Sequence, residues 1–113
     1  MMNSSNFAAT SLEGEATIEG EQARLKLRGT LATRTVDRAD VYVTELQRRG
    51  VRELEIDLSE LTRLDSSGLA FLLRVHHRAP EDGWEVAMVA PPEHLRSQIS
   101  RLGVASRLPF LSV

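Results

Sequence analysis

The chain has 113 residues, 42% of them apolar and 27% charged, with a formal net charge of −2. These values suit one domain around one core, argue against wholesale disorder and offer no basic footprint for nucleic acid. With no cysteine, a disulfide framework and any thiolate metal site are excluded.

The first 14 residues, rich in Ser, Asn and Ala, read as a flexible tail ahead of a single domain over 15–113. They lack the basic-then-apolar order of a secretory signal. No apolar run approaches the ~20 residues that span a bilayer. The expectation is a cytoplasmic protein without direct membrane insertion. Two short strands are predicted at Ala16–Ile18 and Ala23–Leu27, either side of the turn "EGEQ". The second alternates Ala23, Leu25 and Leu27 with Arg24, Lys26 and Arg28, and Gly29 ends it. "TLATRT" is a loop leading to a helix over Val36–Arg49. There Val36, Ala39, Val43 and Leu46 form one apolar stripe, and Gly50 stands at the C-terminus.

"ELEIDLS" alternates Leu54, Ile56 and Leu58 with Glu55 and Asp57, as a strand does. After a short link, the pattern predicts a helix over Ser67–Arg78 that Pro80 stops, with "PEDG" as a turn. "WEVAMVA" is a nearly continuous apolar strand, expected to be central. Pro91–Pro92 opens a last helix with Leu95, Ile99 and Leu102 on its core face and Gly103 at its end. "RLPFLSV" supplies a short edge strand. The order predicts an α/β fold, a small mixed β-sheet with helices packed mainly on one face. Its first strand pair is hairpin-like and its later strands are parallel through right-handed crossovers.

Chemistry is sparse outside one place. A hydrolase elbow needs G-x-S-x-G, and the run here is L-D-S-S-G. A triad needs a histidine beside the serine. His76 and His77 lie about 15 Å along the helix axis from Ser67, and His94 heads another helix. The expected catalytic set is therefore none. Adjacent histidines point about 100° apart on a helix and make a poor metal pair. No metal-ligand motif, dinucleotide fingerprint or P-loop is present, so no metal and no cofactor are expected. The histidines read as solvated or half-buried helix residues.

Asp65, Ser66, Ser67 and Gly68 are different. They sit where a strand gives way to a helix. One serine can cap that helix. Unpaired N–H groups and the positive dipole end also receive anions there, and a phosphoserine adds roughly −1.5 to −2 charges beside Asp65. Two hydroxyls at such a position suggest a switch as well as a cap.

"LEIDLSELTRLDSSGLAFLLRV", with its strand, D-S-S-G turn and apolar helix, resembles the signature of STAS domains. This is the fold shared by bacterial anti-sigma factor antagonists and the cytoplasmic parts of sulfate transporters. "LRGTLATRTVDRADVYVTEL" and "GWEVAMVAPPEHLRSQISRLGVASRLPFLSV" extend the resemblance over roughly residues 16–113. The resemblance to the antagonists implies a non-enzymatic regulatory domain. Its partner is a serine kinase of the GHKL type that is itself the anti-sigma factor, and a phosphatase resets the switch. It implies phosphorylation at Ser66, with Asp65, Ser67 and Gly68 completing the partner-binding motif. The antagonists commonly carry G-E-L-D in the early loop, where this chain has Gly29, Thr30, Leu31 and Ala32. The missing acids at Thr30 and Ala32 leave a second reading open. This is the STAS subunit of a bacterial lipid-transport ABC complex, which braces the ATPase without being phosphorylated.

Overall fold

The computed structural model describes residues 11–101 and 110–111. Its strands are β1 (Leu12–Glu19), β2 (Gln22–Leu31), β3 (Glu53–Leu64), β4 (Glu85–Val89) and β5 (Phe110–Leu111). Its helices are α1 (Val36–Arg48), α2 (Ser66–Asp82) and α3 (Glu93–Arg101). The strands lie in the sheet in chain order. β1 and β2 pair antiparallel, and each later neighbour pairs parallel. Right-handed crossovers that all step the same way across a sheet place their helices on one face. One apolar cluster accordingly holds Ala39, Val43 and Leu46 of α1, Leu69, Phe71 and Leu72 of α2, and Leu95 and Ile99 of α3. The mixed sheet with helices on one face is therefore as expected. The centre of the sheet is β3, with β4 between it and β5.

Several boundaries differ from the sequence reading. β1 takes in Leu12–Gly14, which that reading gave to the tail, and Leu12 is buried in the core. Residues 1–10, and the expected helix end at Leu102 and Gly103, lie outside the described residues. β2 runs on through Thr30 and Leu31, so "TLATRT" is loop only from Ala32. β3 continues through the supposed link to Leu64. The reason is two irregularities in its pairing with β2, one opposite Leu27 and one opposite the Gly29–Thr30 step. At the first, the Ser59 N–H donates to the Asp57 carboxylate at 2.9 Å. At the second, the Thr62 hydroxyl donates to the Gly29 carbonyl at 2.9 Å. The bulges change the inward spacing from Leu54, Ile56, Leu58 to Leu61 and Leu64, so the period-two signal stops where the strand does not.

α2 spans Ser66–Asp82 with Pro80 inside it, four residues beyond the predicted end at Arg78. Proline there removes one donor from the last turn, where helix bonding is already ending. The stop is Gly83, in the left-handed conformation at φ 79°. Around it, the Trp84 N–H reaches the Ala79 carbonyl at 3.1 Å, and the Gly83 N–H reaches Pro80 at 3.3 Å. That is a Schellman closure, with buried Trp84 and Ala79 supplying its apolar contact. "PEDG" is thus a helix end and not a separate turn.

The helix-free face is built from charge. Arg24, Lys26 and Arg28 of β2 stand between acidic rows on β1 and β3. Arg24 meets Glu55 at 2.7 Å and Asp57 at 3.5 Å. Glu60 meets Lys26 at 3.1 Å and Arg28 at 3.0 Å. Hydrogen bonds from Arg28 and Lys26 hold the Glu60 carboxyl below its ordinary range. Asp57 is buried, but the other pairs are largely exposed, and exposed pairs contribute little stability each. Their arrangement instead sets opposite charges facing one another across strands, which disfavours other pairings.

Gly20 and Gly29 separate two demands on glycine. Both have positive φ (63° and 105°), but a Cβ at Gly20 meets nothing within 4 Å, whereas one at Gly29 falls 2.3 Å from the Ser11 carbonyl oxygen. Gly20→Ala should cost about 1 kcal/mol from left-handed strain alone. Gly29→Ala should cost at least about 2 kcal/mol, because strain and overpacking coincide. Urea unfolding of the two variants measures the difference.

Candidate functional site

β2 and β3 end side by side, with Leu31 in register with Leu64. The Asp65 N–H still reaches the Leu31 carbonyl at 3.3 Å, and α2 begins at the next residue. The first turn of α2 then packs directly on that same carbonyl. A Cβ on Gly68 would sit 2.2 Å from the Leu31 oxygen and 2.9 Å from a Leu64 methyl carbon. Gly68 is buried, and it is required by this close approach.

The helix cap is Asp65, not either serine. Its backbone is extended, and its carboxylate accepts from the Gly68 N–H at 2.9 Å. A carboxylate at this position satisfies a first-turn donor and lies against the positive end of the helix dipole. Its second oxygen accepts from the Thr33 N–H at 3.2 Å and lies 3.3 Å from the Thr33 hydroxyl. Partial burial pushes the Asp65 pKa up. Donors on Gly68, Thr33 and Ser67 outweigh this and hold it below the ordinary aspartate value.

The loop that carries Thr33 is itself fixed by Thr35, which is 6% exposed. The Thr35 hydroxyl donates to the Thr30 carbonyl at 2.7 Å and accepts from the Ala32 N–H at 2.9 Å. The Val36 N–H closes back on the Ala32 carbonyl at 2.9 Å. Thr33 is thereby held over the start of α2, with its hydroxyl 2.9 Å from that of Ser67. Ser67 is half-buried, whereas Ser66 is exposed and its hydroxyl has no partner among the described residues.

All four singled-out residues therefore come together, but in different roles. Asp65 caps, Gly68 permits contact, Ser67 is tied to the neighbouring loop and Ser66 faces solvent. Asp65 occupies the place at the helix start that the sequence offered to a phosphate. An anion added to Ser66 would meet a carboxylate already there. Thr33 and Thr35 escaped the sequence reading; the only local hint is two threonines flanking Arg34 just after a strand. The early-loop positions where acids are missing are both less exposed than Thr33. Thr30 is buried within β2 and Ala32 is half-buried.

The histidines stand apart from this cluster. His76 is half-buried, and its Nδ1 lies 3.1 Å from the Val86 carbonyl, which can only accept, so Nδ1 carries the proton. His77 and His94 are exposed. Among the described residues no histidine hydrogen-bonds a serine, no metal-binding cluster forms, and no helix is long and apolar enough to cross a membrane.

Removing the cap and removing the exposed hydroxyl should have unequal effects. Ser66→Ala should change stability by no more than about 0.5 kcal/mol. Asp65→Ala should cost about 0.5–2 kcal/mol, and Gly68→Ala about 1–3 kcal/mol through overpacking against a backbone carbonyl. Denaturant midpoints report all three. The pH dependence follows from the lowered Asp65 pKa. The stability it provides is complete above the unfolded-chain value of about 3.9 and is lost as pH falls through the lower folded value. Wild type should lose stability on acidification below about pH 4, and Asp65→Asn should lack that share of the slope in urea titrations across this range.

A family model described as "Mlab, STAS domain" matches residues 15–111. Solved structures share the architecture. An anti-sigma factor antagonist from Mycobacterium paratuberculosis superposes with a TM-score of 0.73 at 18% identity, over 88% of this chain and 84% of that one. The Bacillus cell fate determinant SpoIIAA, in its phosphorylated form, gives 0.64 at 14%, over 89% and 91%. The murine anion transporter Slc26a9 gives 0.66 at 12%, over 96% of this chain and 22% of the transporter. At these identities the likenesses speak for the fold, while the family match runs from β1 to β5. The chain belongs to the STAS domain family.

Proposed function

We propose that this chain is a non-enzymatic, cytoplasmic anti-sigma factor antagonist. It binds an anti-sigma factor that is also a GHKL-type serine kinase, and phosphorylation of Ser66 releases it. The observation that carries the reading is the Ser66 hydroxyl, exposed and without a partner among the described residues, on a first turn whose anion position Asp65 already fills. A phosphate on Ser66 would not be absorbed by the helix N-terminus. It would stand outward, adding roughly −1.5 to −2 charges to a surface that keeps one carboxylate beneath it. A partner packed against that surface in the unmodified state would have to desolvate this charge or withdraw. A phosphatase acting on the same exposed position resets the surface.

The second reading, a STAS subunit that binds the ATPase of a lipid-transport ABC complex, has its own support. The loop facing the serines presents Thr33 and no acid. The matching family description names Mlab and not an antagonist. The two readings differ in partner, so purification of the tagged chain under mild conditions with mass spectrometry separates them. A small GHKL-type kinase is the expected companion. An ABC ATPase with its permease would replace the first reading by the second. For the expected partner, Ser66→Asp should weaken binding about tenfold, about 1.4 kcal/mol, with Ser66→Ala near wild type. Equal affinity for Ser66→Asp and wild type would remove the electrostatic basis of the switch.

A further inference from the structure

Two adjacent serines head α2, and a kinase that reads this surface has to act on one of them. We propose that Thr33, on the β2–α1 loop, makes that selection: it holds the Ser67 hydroxyl in a hydrogen-bonded relay and leaves Ser66 as the hydroxyl on offer. The selection rests on the switch reading above, while the relay can be tested without any kinase.

The direction of the relay follows from donor and acceptor chemistry. The Thr33 hydroxyl lies 3.3 Å from an oxygen of Asp65 and 2.9 Å from the Ser67 oxygen. An ionised carboxylate can only accept, and the fold holds Asp65 towards its ionised form, so the Thr33 proton points to Asp65. The Thr33 lone pairs then face Ser67, and the Ser67 O–H donates to Thr33. The chain is Ser67 to Thr33 to Asp65. It is held in place because the Thr33 N–H also donates to Asp65, at 3.2 Å, and because buried Thr35 fixes the loop from the other side.

Phosphoryl transfer from ATP forms a bond between the serine oxygen and the γ-phosphorus as the bond from that phosphorus to the ADP oxygen breaks. The serine proton leaves to a base on the kinase. The Ser67 proton already has an intramolecular acceptor, and its side chain is half-buried beneath the loop. To react, it must first leave Thr33. Ser66 has no such bond to break among the described residues and is exposed. Selection is thus a property of a residue more than 30 positions away in the chain, and not of the order of the two serines alone.

Thr33→Val keeps the shape and removes the hydroxyl, and Thr33→Ser restores the hydroxyl. In the kinase-free arm, Hα–Hβ couplings of Ser67 measured by NMR should report one fixed rotamer in wild type and in Thr33→Ser, and rotamer averaging in Thr33→Val. Averaged couplings in wild type, or a fixed rotamer in Thr33→Val, would overturn the relay. In the second arm, the kinase recovered with this chain is supplied with Mg-ATP and the modified residue is mapped. Wild type and Thr33→Ser should carry label on Ser66, and Thr33→Val should raise the share on Ser67 at least tenfold. A purely structural role for Thr33 would slow labelling of both serines and leave their ratio unchanged, which would overturn the selection. No label on either wild-type serine would overturn the switch reading and the selection with it. The rotamer measurement would still report on the relay, so the two failures are distinguishable.

Discussion

The carbonyl of Leu31, at the end of β2, receives both the Asp65 N–H that continues the sheet and the bare Cα of Gly68 that begins the helix layer. With a Cβ at Gly68 the gap would be 2.2 Å, so any side chain there lifts α2 off the sheet. This contact sets where Leu69 and Leu72 meet the core, and so where the rest of α2 lies. It also sets the height of the first turn relative to the β2–α1 loop. The hydrogen bonds from Thr33 to Asp65 exist because that turn sits so low on the sheet. A wider spacing would leave both the cap and the loop without each other.

The bulges in β3 belong to the same arrangement. They let a long central strand stay paired with β2 while its last residues turn Leu61 and Leu64 into the core. Each irregularity would leave a backbone group unmatched, and each is met by a neighbouring side chain, Asp57 for one and Thr62 for the other. A displaced ladder group left without a partner would be costly. The strand therefore delivers Asp65 to the Leu31 carbonyl with its hydrogen bonds kept.

With every crossover on one side, the opposite face of the sheet is left to its own chemistry. The basic row of β2 between acidic rows gives that face a polar surface that needs no covering helix. The helix-side residues instead form one core. The end of the sheet where β2 and β3 finish is where separate elements meet with exposed polar groups. In the proposed switch this matters because the helix dipole is already answered by Asp65. A phosphate at Ser66 then acts through its charge on the surface and not by filling a vacant cap.

Sequence alone determined what depends on local periodicity. The alternation of Ala23, Leu25 and Leu27, the stripe of Ala39, Val43 and Leu46, and the order of strands and helices are properties of neighbouring residues, and they carried the fold class. The D-S-S-G signature marked the candidate site for the same reason. Tertiary structure alone decided the rest. β3 outlasts its alternation because bulges against β2 absorb the change of period. Pro80 stays inside α2 because the Gly83 closure lies beyond it. Asp65, and not a serine, became the cap, and Ser67 became bound while Ser66 has no partner among the described residues, because Thr33 arrives from another loop. Residues so far apart in the chain share no periodic signal. Their pairing is set by how closely the first turn of α2 approaches the end of β2, a distance that no stretch of sequence contains.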